Sequence, residues 1–122
     1  MHELSVALRI VESLEHELAD EGEIEVAAVC IQVGALTGIV PEALQFAWPH
    51  AAEPSLLRGS RLEIEWVEAA GLCPTCGIER TITNLQSFRC PVCGSPIGEI
   101  AGGNELDILS VEVRDLRTGA ET

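Results

Sequence analysis

Two pentapeptides, Cys73-Pro-Thr-Cys76-Gly and Cys90-Pro-Val-Cys93-Gly, constrain this chain more than any other feature. Each sets two thiols about one tight turn apart. A glycine behind the second cysteine admits the positive φ that turns backbone N–H groups toward sulfur. The 13 residues between the knuckles, 77–89, leave room for a short β-hairpin that folds back and closes four sulfurs into one tetrahedral site. Four thiolates around Zn(II) leave two negative charges over and no open coordination position, so the expected zinc is structural rather than catalytic. Iron is the rival metal, because rubredoxin-like electron carriers use similar knuckles. Such proteins are little more than the site and an aromatic core, whereas most of this chain lies elsewhere and holds no Tyr and 2 Phe.

The knuckles sit inside a glycine-bearing stretch, 71–103, that reads as an inserted four-cysteine zinc-ribbon module. The flanking sequence reads differently. Leu4, Leu8, Val11, Leu14 and Leu18 recur at three- and four-residue steps, which predicts an amphipathic helix over 3–20 stopped by Gly22. Ile24 to Val33 is β-branched and apolar on both alternating faces, as in a strand with neighbours or cover on each side. Gly34 and Gly38 bracket a turn, and Pro41 suits the first position of a helix over 41–52 with Leu44, Ala47, Trp48 and Ala51 as its apolar stripe and Pro49 limiting or kinking it. In RLEIEWVEA, Leu62, Ile64 and Trp66 alternate with Glu63 and Glu65, the pattern of a half-buried strand. A third strand runs from Glu105 to Arg114, and its apolar set changes phase near Leu109, which predicts a bulge there. The last residues, Thr118 to Thr122, read as frayed. The expected fold class is therefore α+β: two helices packed on a small three-stranded, mainly antiparallel sheet formed by 1–70 plus 104–117, interrupted by the zinc ribbon.

Charge narrows the partners. Twenty acidic residues face 7 basic ones, all Arg, for a formal net charge of −13. A phosphate backbone selects basic stripes, so nucleic acid is an unfavoured partner; cations and basic protein surfaces are favoured. No apolar run approaches the roughly 18 residues of a membrane span, and no basic-then-apolar leader opens the chain, which reads as cytoplasmic. Paired cysteines in such a compartment point to metal rather than disulfides. Cys30, alone in mid-strand, reads as a small buried apolar residue, and His16 and His50 read as surface residues. A strand at the sheet edge offers pairing to a second copy of the chain, a homodimer.

The amino terminus carries a different metal pattern. His at position 2 is too bulky for the usual removal of the initiator residue, so Met1 is expected to remain with a free α-amine of pKa about 8. That amine and the His2 backbone nitrogen close a five-membered chelate ring; the same nitrogen and the His2 imidazole Nδ1 close a six-membered one. Ni(II) accepts such a tetragonal nitrogen site and promotes amide deprotonation, whereas zinc prefers an undistorted tetrahedron. The backbone nitrogen or side chain of Glu3 offers a fourth ligand.

MHELSVA at the start, VGALTG through PEALQFAW, the two knuckles and the closing NELDILSVEV together resemble the hydrogenase-maturation nickel metallochaperones of the HypA/HybF family, over essentially the whole chain. The resemblance implies a nickel-binding α/β domain interrupted by a zinc ribbon, with Met1, His2 and Glu3 as the nickel end and Cys73, Cys76, Cys90 and Cys93 as the zinc ligands. It implies a carrier without turnover that passes Ni(II), with a partner GTPase of the HypB type, into the large-subunit precursor of a [NiFe] hydrogenase; some relatives also serve urease. Two other functions compete: a zinc-ribbon adaptor that owes nothing to its first three residues, and the rubredoxin-like carrier. An enzyme is disfavoured, since no Ser-His-Asp grouping and no Walker-type glycine loop is readable.

Overall fold

The computed structural model describes residues 2–116 and the backbone of 120–121. Chain order is helix α1 (Glu3–Glu17), strand β1 (Ile24–Gly34), a 3-10 turn (Ala35–Thr37), helix α2 (Pro41–Ala52), then strands β2 (Arg61–Val67), β3 (Ala70–Leu72), β4 (Glu79–Thr81), β5 (Glu99–Gly102), β6 (Leu106–Asp115) and β7 (Ala120–Glu121). The larger sheet has the order β2-β1-β6-β7 and the smaller one β4-β3-β5. The class is the expected α+β, with the larger sheet mainly antiparallel. Its β1–β2 pair is parallel, from Ala28 opposite Arg61 to Gly34 opposite Val67. Parallel neighbours need a crossover, and α2 provides it. Where the sequence reads as a frayed tail, the backbone of Ala120–Glu121 pairs with Arg114 and Asp115 and adds a short fourth strand to that sheet; Thr118, Gly119 and Thr122 lie outside the described residues, as does Arg117.

β1 is a central strand with β2 and β6 as neighbours; one face meets the core, while Cys30 and Gln32 on the other lie beside Glu63 and Glu65. Its register with β6 slips between Cys30 and Ile31, so that Cys30 faces Ser110 and Ile31 faces Ile108. Leu109 is left unpaired at that step and is the bulge its sequence phase foretold. Val26, Val29, Ile31 and Val33 enter one core with α1 and α2. Leu44 is fully buried and Trp48 nearly so, and the Trp48 indole N–H donates to Ser60 Oγ at 3.1 Å. Each such side chain contributes roughly 1.5–3 kcal/mol by leaving water. α2 keeps Pro41 at its start and runs past Pro49 to Ala52; the missing Pro49 N–H costs one helical bond without ending the helix.

Three expectations are corrected. α1 ends at Glu17, and its buried stripe is Val6, Ala7, Ile10, Val11 and Leu14, while Leu4 and Leu8 lie on the exposed rim beside α2. The helix has enough apolar residues for two overlapping stripes, and the one that meets both α2 and the sheet is buried. Cys30 is only half-buried: its thiol lies on the sheet's polar face, 3.8 Å from Glu65 Oε2, and burial followed by the Glu65 charge raises its pKa. The segment between the knuckles forms no hairpin of its own. Instead β4 pairs with β3 around the first knuckle, and Arg89 bridges Pro96 around the second.

A second, smaller core of Ala69, Cys73, Ile82, Cys90 and Ile97 lies under the knuckles, with Ala35 and Leu36 packed against it. The two sheets meet at a backbone crossing. The Leu36 N–H donates to the Gly103 carbonyl and the Gly34 N–H to the Glu105 carbonyl, both at 2.7 Å, while the Gly103 N–H donates to Glu105 Oε1 at 2.8 Å.

Candidate functional site

The two knuckles bring Cys73, Cys76, Cys90 and Cys93 together so that their four sulfurs lie within 4.8 Å of one another. Cys73 and Cys93 sulfurs are 3.5 Å apart and those of Cys76 and Cys90 4.0 Å. A tetrahedron with metal–sulfur bonds of about 2.3 Å has sulfur–sulfur edges of about 3.8 Å. The donor set and its spacing therefore fit a zinc ion.

Local sequence explains the geometry. In the first knuckle Gly77 takes φ 74° and its N–H donates to the Cys73 carbonyl at 2.8 Å; in the second Gly94 takes φ 77° and donates to the Cys90 carbonyl at 2.9 Å. The glycines thus close the turns, and other amides approach sulfur: Cys76 N–H to Cys73 Sγ at 3.3 Å and Val92 N–H to Cys90 Sγ at 3.4 Å. The knuckles are also tied to each other by Thr75 Oγ1 and Ser95 Oγ, 2.7 Å apart.

These contacts separate the thiols electrostatically. The Ser95 hydroxyl and then its backbone N–H bring Cys93 down to about 6, and backbone donors, first at Cys93 and then at Val92, lower Cys90. At Cys76 the Arg80 guanidinium favours the thiolate, but hydrogen bonding with the Cys73 and Cys93 sulfurs outweighs it and pushes the thiol up to about 11. Arg80, half-buried on β4, is the cation beside an otherwise anionic cluster, a neighbour that cysteine spacing alone does not reveal.

Met1 lies outside the described residues. His2 is exposed and is the N-cap of α1, with extended φ −83° and ψ 122°, and its carbonyl accepts the Val6 N–H at 3.1 Å. Its imidazole makes no capping bond. One Glu3 carboxylate oxygen accepts the Val40 N–H at 3.3 Å, and that bond is the main reason its pKa is lowered. The first turn of α1 is thereby fastened to the start of α2. His2 and Glu3 line an open depression of about 270 Å³ together with Phe46 and His50 of α2. The presence of His50 there is not readable from the sequence, since it depends on how α1 and α2 pack. His16 lies further along α1 beside Glu12 and Glu17.

Comparison with known proteins adds four findings. A family model described as hydrogenase/urease nickel incorporation, metallochaperone, hypA, matches residues 1–113. Hydrogenase maturation factor HypA of Chloroflexus aggregans is 44% identical over 112 residues, covering 92% of this chain and 98% of the relative. That of Streptomyces avermitilis is 36% identical over 123 residues, covering 100% and 94%. The solution structure of the Ni metallochaperone HypA from Helicobacter pylori matches with a TM-score of 0.60 at 23% identity, covering 91% of this chain and 96% of that one, a likeness of fold.

Proposed function

Because the chain belongs to the HypA family of hydrogenase and urease nickel-incorporation metallochaperones, we propose that it carries Ni(II) at its own amino terminus and surrenders it for assembly of a [NiFe] hydrogenase centre. The nickel ligands in this reading are the Met1 α-amine, the His2 backbone nitrogen and the His2 imidazole, with Glu3 holding the site in place. The receiving protein is the large-subunit precursor of the hydrogenase, and a GTPase of the HypB type supplies the nucleotide chemistry. We assign the nickel function to 1–70 plus 104–117 and a purely structural role to the four-cysteine module, 71–103.

One observation supports the nickel reading above the others. His2 caps a fixed helix whose first turn is fastened through Glu3 to Val40. The six-membered chelate ring thus starts from a His2 backbone already in place, and the imidazole has only to close on the ion. The positive end of the α1 dipole opposes a bound cation by about 0.3–1 kcal/mol, a small cost that suits a site required to release its cargo. Zinc bound by Cys73, Cys76, Cys90 and Cys93 adds a cross-link between the two knuckles, beside the small second core. Once four sulfurs are bound no coordination position stays open, so the ribbon performs no hydrolysis in this account.

The test is a nickel titration, followed by electronic absorption, of protein beginning at Met1 beside protein with one residue added ahead of it. Moving the amine is expected to abolish the tetragonal nickel spectrum and weaken binding at least tenfold. Unchanged spectrum and affinity would remove the terminal chelate from the account.

A further inference from the structure

We propose that His50 supplies a second imidazole to the nickel held at the chain's start. This rests on the amino-terminal reading above and adds to it a ligand from a different helix.

The observation is a juxtaposition across the α1–α2 packing. His2, Glu3 and His50 border the same depression of about 270 Å³, with Phe46 beside them. A water molecule takes about 30 Å³ of the liquid, so this opening admits a cation that still carries several waters. Within α2, Phe46 and His50 stand four residues apart and therefore on one face, and their ring centroids are 5.9 Å apart at 50°. Helical Cα–Cβ bonds tilt toward the helix amino terminus. His50 thus leans back over Phe46 toward the start of α2, where Glu3 meets Val40. Both imidazoles belong to exposed residues, and the His2 ring is not spent on capping its helix.

Ligand chemistry favours the same residue. The amine, the His2 amide nitrogen and the His2 imidazole fill three corners of a tetragonal site. The Glu3 backbone nitrogen, the other candidate for the fourth corner, would have to shed its amide proton; the Glu3 carboxylate is already engaged, and turning it onto the metal would leave the Val40 N–H, at the start of α2, without its acceptor. An imidazole is a donor that Ni(II) accepts well, and His50 can be recruited without breaking a hydrogen bond of that kind. Among the described residues the four cysteines are the one group whose ligand atoms already lie within 4.8 Å. Recruitment of His50 is accordingly a closing movement of exposed side chains, and its reversal is a route for release.

The experiment compares the zinc-loaded full chain with its His50→Ala and His16→Ala variants. Nickel affinity is measured by competition with a chelator, and the number of imidazoles on nickel by X-ray absorption. The expected result is two imidazoles in the parent and in His16→Ala, against one in His50→Ala with binding weakened about tenfold. Equal affinity and an equal imidazole count in the parent and His50→Ala overturn the role of His50 while leaving the amino-terminal site intact. A parent chain whose nickel carries no imidazole at all would overturn both readings.

Discussion

The Glu3 carboxylate accepts the Val40 N–H at 3.3 Å, joining the second residue after the chain start's methionine to the residue that precedes α2. Through this bond, which joins residues 37 positions apart, the position of His2 depends on the start of α2. A nickel end read only as a flexible tail would have no such tether.

The tether titrates. Glu3 has its pKa lowered from 4.5, chiefly by the Val40 N–H. A depressed carboxylate stabilises the fold above its unfolded pKa and loses that contribution as pH falls through the lower folded value. The Val40 amide resonance is therefore expected to hold steady from neutral pH down to about 4.5 and to move below it. In Glu3→Gln the shift attributable to this bond should disappear. An unaltered titration of Val40 in that variant would show that Glu3 is not its acceptor.

The four thiols differ in reactivity when the metal is removed. Cys93 at about 6 is mostly thiolate at neutral pH, whereas Cys76 at about 11 is almost wholly thiol. Since the thiolate is the nucleophile, brief alkylation of metal-free protein at neutral pH should label Cys93 well ahead of Cys76, read by peptide mass spectrometry. The order follows from the Ser95 donors, so Ser95→Ala should narrow the gap. Equal labelling of the two cysteines in the parent would contradict the electrostatics described here.

The crossing between the sheets tolerates no side chain. A Cβ on Gly34 would fall inside the Gly103 carbonyl, and one on Gly103 would sit 2.8 Å from Ala69 Cα with φ at +112°. Gly34→Ala is expected to cost about 3 kcal/mol or more, beyond the range of ordinary surface changes, as a drop in the urea midpoint. Gly38→Ala, where a Cβ meets nothing within 4 Å but φ is +78°, should cost less, about 1 kcal/mol. Similar losses in the two would place the sheets further apart than described.

Much of this architecture is legible in the sequence because it is local. The cysteine knuckles carry their turn glycines with them, and the bulge at Leu109 shows as a phase change between Ile108 and Val111. Pro41 marks the start of α2. What is not legible depends on contacts between distant segments. Leu4 and Leu8 fit a helical stripe as well as Val6 and Ile10 do, and only the placement of α2 and the sheet decides which stripe is buried. Arg80 reaches the sulfur cluster through the β3–β4 pairing, which sets it opposite Gly71. His50 borders the same depression as His2 for the same reason, the two being 48 positions apart in the chain.

The central claim is that the amino terminus holds nickel while the cysteine cluster holds zinc, each independent of the other. The most direct measurement is zinc and nickel content per chain, by elemental analysis after nickel loading and desalting, in untagged protein and in His2→Ala. The account predicts about one of each metal in the parent, and in His2→Ala the same zinc with nickel lost. Full nickel retention in His2→Ala, or loss of zinc together with nickel, would contradict it.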